Sequence, residues 1–361
     1  MIPYRICICG GGNLAHVVGG YLAAKPECEV RLLTRYPEKW QPEGILKLTD
    51  NNGKIFNSRF TLISSNPSQT ITGADMVLVC LPGFAIAQVL ESIKDYISKE
   101  TVVGSIVSST GFFLMAKKIL PAGTKLFGFQ RVPFIARTNE YGKSASLLGY
   151  KPSLTYASMN INDIQSFSRT ISALFDVSVT WLDSYLKVTL TNSNPLLHPC
   201  RLYGMFGRGK TAFDKPILFY EEWDNFSSEM LIDCDLEFRH LLDKLDIARN
   251  EIVPILDYYE SHDSLSLTEK IRSIQAFKGL QAPMIQLSDG YYYPDWNNRY
   301  FTEDIPFGLL IIKAFCRKYG IDTPKIDTIL RWAQTGMNKQ YIVGKDLTGK
   351  DIHQTIVDYV D

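Results

Sequence analysis

The sequence has no excess of either charge: 38 Lys and Arg stand against 38 Asp and Glu, for a formal net charge of zero. That balance gives no electrostatic footprint for nucleic acid or for an anionic membrane, so neither is expected as a partner. No apolar run approaches the ~20 residues needed to cross a bilayer. No cationic start with an apolar core precedes the first strand, so no signal peptide is expected. The seven cysteines form no C-x-x-C pair and no zinc-type spacing, and Cys7, Cys9 and Cys80 fall in apolar runs that read as buried strands. Reduced thiols in the cytoplasm, and no metal site, are the expectation. A G-x-S-x-G elbow is missing, which argues against a hydrolase built on a similar sheet. Neither a low-complexity segment nor a solenoid repeat is visible. The 361 residues, 45% of them hydrophobic, exceed one ordinary core, and two domains are expected.

What is present begins at once. In "ICICGGGNLAHVVGG", Ile6 to Cys9 form the continuous apolar run of a parallel strand buried on both faces. Gly10, Gly12 and Ala15 follow at G-x-G-x-x-G/A spacing, and Leu14, Val17, Val18 and Leu22 recur at helical intervals. In a dinucleotide-binding turn the first glycine permits the bend, the second lets pyrophosphate approach the backbone, and the small third residue lets helix meet strand. The helix N-terminus, here Asn13 and Leu14, offers its N–H groups and dipole to the phosphates. Gly11 and Leu14 make this turn less typical.

The next strand, "EVRLLTR", ends in Thr34 and Arg35 with no acid at its tip. An acid there would accept the ribose 2′-OH of NAD, whereas an Arg accommodates a 2′-phosphate, so NADP is expected in preference to NAD. "LKLTDNNGKIF" reads as a hairpin turning at Asn52-Gly53. "ADMVLVCLPGFAIAQVLESI" gives a strand from Met76 to Leu81, a stop at Pro82-Gly83 and an amphipathic helix. Ligands of doubly wound sheets lie outside the carboxyl ends of the strands, so Leu81 and Pro82 are expected to wall the cofactor. "TVVGSIVSS" and "KLFGFQ" continue the sheet, and "SASLLGYKPSLTYASM" reads as a second hairpin. A helix from about Ile161 and the strand "DVSVTWL" close this domain near residue 185.

Beyond it the texture is helical, as in "EMLIDCDLEFRHLLDKLDIARNEI" and "IPFGLLIIKAFCRKYG". The fold class expected is α/β: an N-terminal Rossmann-type doubly wound sheet over 1–185, then a mainly α-helical second domain over 186–361. The cleft between two such domains is the expected active site. Two stretches of the helical half mix polar groups with proline: "NSNPLLHPC", holding Asn194, Pro195, His198 and Pro199, and "NNRYFTEDIPFG", holding Arg299, Glu303 and Asp304. On the residues alone His198 reads as a structural or a catalytic histidine. "YYYPDW" reads as the lining of an amino-acid pocket or as an apolar patch.

"GGGNLA", "VPFIAR" at Val132 to Arg137, "NPLLHP" at Asn194 to Pro199 and "RYFTEDIPFGL" at Arg299 to Leu309 together resemble the ordered motifs of the octopine/nopaline dehydrogenase family. The resemblance spans most of the chain and implies reduction, by NADH or NADPH, of the imine formed between a 2-oxo acid and an amino acid. It implies that His198 and Asp304 are a catalytic dyad and that Arg299 holds a substrate carboxylate. A ketopantoate-reductase-like or other 2-hydroxy-acid dehydrogenase would share the first domain, and a dinucleotide-binding sensor would bind without turnover. The oligomeric state stays open, with a homodimer as one expectation.

Overall fold

The computed structural model describes residues 4–360, which divide into two compact units, one up to Thr189 and one from Leu190. The short helix Leu186–Thr189 falls in the first unit, four residues past the boundary drawn from texture alone.

In the first unit the apolar run becomes strand β1, Tyr4–Cys9, with Ile6 to Cys9 fully buried. It lies inside an eight-stranded sheet. From one edge the order is Ser178–Leu182, Ser153–Met159, Lys125–Phe129, Val102–Ser105, Met76–Val79, β1, β2 (Cys28–Leu33) and Leu62–Ser64. Every neighbouring pair is parallel except Ser153–Met159 with Lys125–Phe129. The chain runs outward from β1 to β2 and then returns to Met76–Val79 on its other side, which makes the carboxyl ends of β1 and Met76–Val79 the switch point of the sheet. The run to Leu81 leaves the strand after Val79: Cys80 still donates its N–H to the Cys9 carbonyl, and Pro82 then caps the helix Gly83–Ile93.

Helix α1, Asn13–Ala23, follows β1. Its other face meets a separate four-stranded sheet in the order Ile55–Arg59, Ile45–Asp50, Ser144–Tyr150, Phe134–Glu140. A Cβ on Gly19 would lie 2.8 Å from the Phe60 ring and one on Gly20 2.8 Å from Leu46. The Gly-Gly pair is therefore what lets helix and sheet approach so closely.

The hairpin expected over residues 144–159 does not form. Ser144–Tyr150 pairs in the smaller sheet, with Ile45–Asp50 and Phe134–Glu140, while Ser153–Met159 pairs in the larger one. At the junction Lys151 donates its N–H to the Pro133 carbonyl and Pro152 has none to give, so the chain passes from one sheet to the other instead of folding back. Alternation of apolar residues marks a strand but not its partner.

The second unit is built on the helices Asn194–Phe206, Asn225–Lys244, Ser264–Ser273, Leu310–Lys318 and Pro324–Gly336. The helix expected from Glu229 starts earlier because Asp224 caps it, accepting the Ser227 N–H at 2.9 Å, and it stops at Lys244, two residues before the left-handed Asp246. The aromatic stretch contains an unexpected strand, Tyr292–Pro294, paired with Met284–Gln286. Trp296 beyond it lies against Phe301 and Trp332, as an apolar patch. Among the described residues no helix is long and apolar enough to cross a membrane, and no group of three or more His, Cys, Asp or Glu could hold a metal ion.

Candidate active site

His198 stands on the first helix of the second unit, Asn194–Phe206. Pro195 occupies its first turn, where a missing N–H costs nothing, but Pro199 lies inside it and deprives the Pro195 carbonyl of its helical donor. The helix holds because it is buried: a Cβ on Gly204 would fall 2.1 Å from Ser227 Oγ, so the neighbouring helix Asn225–Lys244 approaches nearly to contact. Arg201, one turn past His198, is 2% exposed and donates to the carbonyls of Phe219, at 2.9 Å, and Glu222, at 2.5 Å. Burial lowers its pKa to about 10, well above neutrality, so the clamp stays charged. Those two bonds fix the loop that carries Tyr220.

Asp304 comes from a second irregular segment. The short helix Arg299–Thr302, capped by Asn298, runs into a π-type turn over Ile305–Leu309 in which Phe307 leaves helical dihedrals (φ −119°, ψ 16°). Wide turns of this kind recur at functional sites. Gly308 makes the approach possible, since a Cβ there would lie 3.1 Å from Pro195. The two proline-marked segments singled out by sequence thus lie against each other.

The result is a buried pair: His198 Nδ1 lies 2.7 Å from Asp304 Oδ2, with the residues 3% and 9% exposed. A carboxylate only accepts, so Nδ1 carries the hydrogen and Nε2 is left with a lone pair. The Tyr220 hydroxyl donates to that lone pair at 2.9 Å. The Tyr300 ring stacks on the imidazole at 4.1 Å and Phe219 meets it edge-on. Both ring nitrogens and one face are therefore held. Burial pushes the phenols of Tyr220 and Tyr300 up, so both keep their protons at neutral pH. Arg299 begins the same short helix, is exposed, and makes no ion pair or side-chain hydrogen bond among the described residues. Sequence reading missed Tyr220, which sits in a loop without a motif. Tyr300 lay within a quoted motif, yet nothing in its spacing marked it as a ring partner.

The glycine turn of the first unit has the shape a dinucleotide requires. Gly10 has φ +144°, and a Cβ on it would lie 2.6 Å from the Cys80 carbonyl oxygen at the switch point. Gly12, the N-cap of α1, would place a Cβ in open space, it carries no side-chain cap, and no acid occupies the first turn. The first helical bond runs from His16 N–H to the Gly12 carbonyl, so the N–H groups of Asn13, Leu14 and Ala15 precede the ladder. Gly12 and Asn13 are exposed, Leu14 is half-buried, and Ala15 is buried beneath Gly10. Asn13 also accepts the Thr138 N–H at 3.0 Å.

Thr34, buried at the end of β2, faces Gly11: a Cβ there would lie 2.9 Å from Thr34 Oγ1 and 2.4 Å from the Tyr141 hydroxyl. Arg35 is exposed, and its guanidinium and the Lys39 ammonium both approach the Tyr36 ring, at 5.8 and 4.2 Å. No carboxylate pairs with either among the described residues, so Arg35, at the strand tip where an NAD-selective site would carry an acid, is a free cation, with Lys39 near the same Tyr36 ring. Leu81 is half-buried and Pro82 exposed, beside Cys80 at the strand end. The residues present fit a dinucleotide.

A dinucleotide-binding fold and a buried histidine–carboxylate pair in one chain suit a dehydrogenase. Comparison with known proteins names the family. The family model described as NAD/NADP octopine/nopaline dehydrogenase, alpha-helical domain, matches residues 181–337, and that of ketopantoate reductase PanE/ApbA matches residues 6–129. The chain is 31% identical to tauropine dehydrogenase of Arabella iricolor, covering 97% of this chain and 96% of that one. It is 30% identical to octopine dehydrogenase of Pecten maximus, covering 97% and 94%. The solved structure of octopine dehydrogenase with NADH and L-arginine superposes with a TM-score of 0.86 at 27% identity, covering 100% of this chain and 95% of that one. The chain belongs to the octopine/nopaline dehydrogenase family, and it is an NAD(P)-dependent oxidoreductase. The ketopantoate reductase model matches only residues 6–129, whereas a solved ketopantoate reductase from Ralstonia eutropha shares the fold over 92% of this chain and 98% of that one, at a TM-score of 0.61 and 15% identity.

Proposed function

We propose that this chain is an opine dehydrogenase that joins a 2-oxo acid to an amino acid through a secondary amine, with His198, Asp304 and Arg299 as its chemical residues. The carrying observation is the buried 2.7 Å bond between His198 and Asp304. In this reading the unit up to Thr189 holds the cofactor through Gly10, Gly12, Asn13, Leu14, Ala15, Thr34, Arg35, Leu81 and Pro82. The unit from Leu190 supplies the proton chemistry. A bound reduced nicotinamide supplies the hydride that reduces the imine. The chain's own residues manage protons and orientation. The amino-acid ammonium must lose a proton before its nitrogen can attack the oxo carbon, and the carbinolamine must gain one to release water. An imidazole suits both transfers near neutral pH, and Asp304 holds it in one tautomer and balances the charge of the doubly protonated ring.

Arg299 is exposed and without an anion of its own, and its planar fork suits a carboxylate. It takes the oxo-acid carboxylate in this reading. Arg299→Lys keeps the charge but loses the fork, so the KM for the oxo acid rises while cofactor affinity holds. A fall in cofactor affinity instead would reassign Arg299 to the dinucleotide. The free cations Arg35 and Lys39 favour NADPH over NADH. The site is cytoplasmic in this reading, which seven cysteines without a disulfide suit, and the assembly is a homodimer, which light scattering reads directly.

The deciding experiment supplies reduced cofactor, a matrix of 2-oxo acids and amino acids, and identifies products by mass. An N-linked dicarboxylate, absent when the amine is omitted, supports the proposal. Conversion of the oxo acid to its 2-hydroxy acid, indifferent to any amine, would make the chain a simple keto-acid reductase.

A further inference from the structure

The one ring nitrogen that His198 has left for chemistry is occupied. Nδ1–H is committed to Asp304, and the Nε2 lone pair accepts the Tyr220 hydroxyl at 2.9 Å. Among the described residues the Tyr220 oxygen is the hydrogen-bond partner of Nε2, and the Tyr300 hydroxyl interacts with Tyr220 beside it. Tyr220 is not a loosely placed side chain that swings aside. Its ring stacks on Phe277 at 4.0 Å and lies parallel to Trp223, and the Phe219 and Glu222 carbonyls on either side of it are clamped by buried Arg201. The residue is 5% exposed, as fixed as the dyad itself. A rigid hydroxyl hydrogen-bonded to a base is both donor and acceptor, which is what a relay requires and what a displaced obstacle is not.

We propose that Tyr220 is the relay hydroxyl through which the His198–Asp304 pair exchanges its proton with substrate. In the direction of reduction, imidazolium Nε2–H gives its proton to the Tyr220 oxygen as the Tyr220 O–H proton passes to the substrate atom that requires it. The imidazole ends neutral, the phenol is unchanged, and the substrate has gained one proton. In the reverse direction the two transfers run backwards, and the phenol never needs to ionise. Burial, which disfavours a phenolate, is compatible with a concerted exchange of this kind. The proposal rests on the reading of His198 as the proton-exchanging residue.

Two measurements test it on the full chain. First, ¹⁵N NMR of the His198 ring in the cofactor-free protein reads the Nε2 bond without any activity. Tyr220→Phe should move the Nε2 resonance toward that of an imidazole nitrogen without a donor and leave Nδ1 in place. An unmoved Nε2 resonance overturns the relay. Second, Tyr220→Phe should lower kcat by about tenfold or more while KM values stay within about threefold. The dependence of kcat on the deuterium content of the solvent should change from curved, with two protons in flight, to linear. A variant that keeps turnover within about threefold and the same curvature overturns the proposal. Should Tyr220→Phe fail to fold, a fluorotyrosine at position 220 keeps the shape and shifts the acidity of the phenol, and an unaltered isotope effect there overturns the relay equally. A protein that reduces only oxo acids, with no amine, would refute the opine reading. The relay is then judged on that reduction, which needs the same proton.

Discussion

Asp304→Asn removes a charge from a buried site and almost nothing else. The amide matches the carboxylate in volume, so no cavity opens, and Asp304 is 9% exposed, so water cannot replace what is lost. The bond to His198 is 2.7 Å long and charge-assisted whenever the ring is doubly protonated. Hydrogen bonds to charged groups contribute about 1.5–3 kcal/mol, which alone corresponds to about 10–10² in rate if the interaction is made chiefly in the transition state. A second loss comes from the tautomer. If the Asn oxygen faces the ring, Nδ1 keeps its hydrogen but the imidazolium has no counter-charge. If the amide nitrogen faces it instead, the hydrogen must move to Nε2, where the Tyr220 hydroxyl now has to turn from donor to acceptor. Either arrangement damages proton exchange, and the combined expectation is a fall in kcat of about 10²–10⁴. The assay follows oxidation of the reduced cofactor under saturating oxo acid and amino acid, with cofactor affinity measured separately by fluorescence. Affinity should hold, because the glycine turn lies in the other unit. Turnover within about threefold of wild type, in a folded variant with unchanged cofactor affinity, would refute the dyad.

The glycine turn yields a contrast: Gly10→Ala forces a Cβ into the Cys80 carbonyl at φ +144° and should destabilise the first unit by about 1–3 kcal/mol or more, read as a lower Tm. Gly12→Ala meets nothing in the protein at φ −89°, so its Tm should hold while dinucleotide affinity falls by about tenfold or more in titration calorimetry. Arg35→Ala should weaken NADPH by about 10–10² and leave NADH nearly unchanged, and equal affinities in the wild type would refute a 2′-phosphate role. His16 is buried against Trp40, receives the Gly142 N–H on Nε2 and gives Nδ1–H to the Gly12 carbonyl, so burial lowers its pKa below the ordinary 6.5. With the folded pKa depressed, its contribution is complete above pH 6.5 and is lost as pH falls through the folded value, so wild-type Tm should drop more steeply on acidification than that of His16→Gln.

Much of the first unit could be read directly because its signals are local. A buried parallel strand is an unbroken apolar run, and the turn after it needs small residues at fixed offsets, so residues 6–15 carry the signal of their structure and of the use proposed for it. What could not be read was pairing. Ser144–Tyr150 and Ser153–Met159 alternate in the way a hairpin would, and only Pro152 and the Lys151 bond to Pro133 decide that they part. The small sheet against α1 was equally invisible, although Gly19 and Gly20, which admit it, stood in the first stretch of sequence.

The site divides along the same line. His198, Asp304 and Arg299 were found through motifs, and the structure brings the first two within hydrogen-bond distance across 106 residues of sequence. Tyr220 and Arg201 were not found, because a tyrosine in a loop and an arginine inside a helix carry no spacing signal. Their importance comes from burial and from one bond each way, properties of the fold alone.

Regular helices would not have built this pair. His198 precedes a proline inside its helix, and Asp304 precedes a proline in a turn too wide for an α-helix. Each irregularity costs backbone hydrogen bonds, and each stands one or two residues from a chemical group. Such breaks in a helix persist only where the surroundings hold them by packing. Here they do, through Gly204 against Ser227, Gly308 against Pro195 and the Arg201 clamp. The imidazole cannot rotate away from Asp304 without losing Tyr220 and the Tyr300 stack as well, so in the proposed reading the ring would meet its substrate already in the working tautomer. If His198 is the base, the conformational cost of orienting it has been met in folding, which leaves the binding energy of the substrates free to align the reacting atoms.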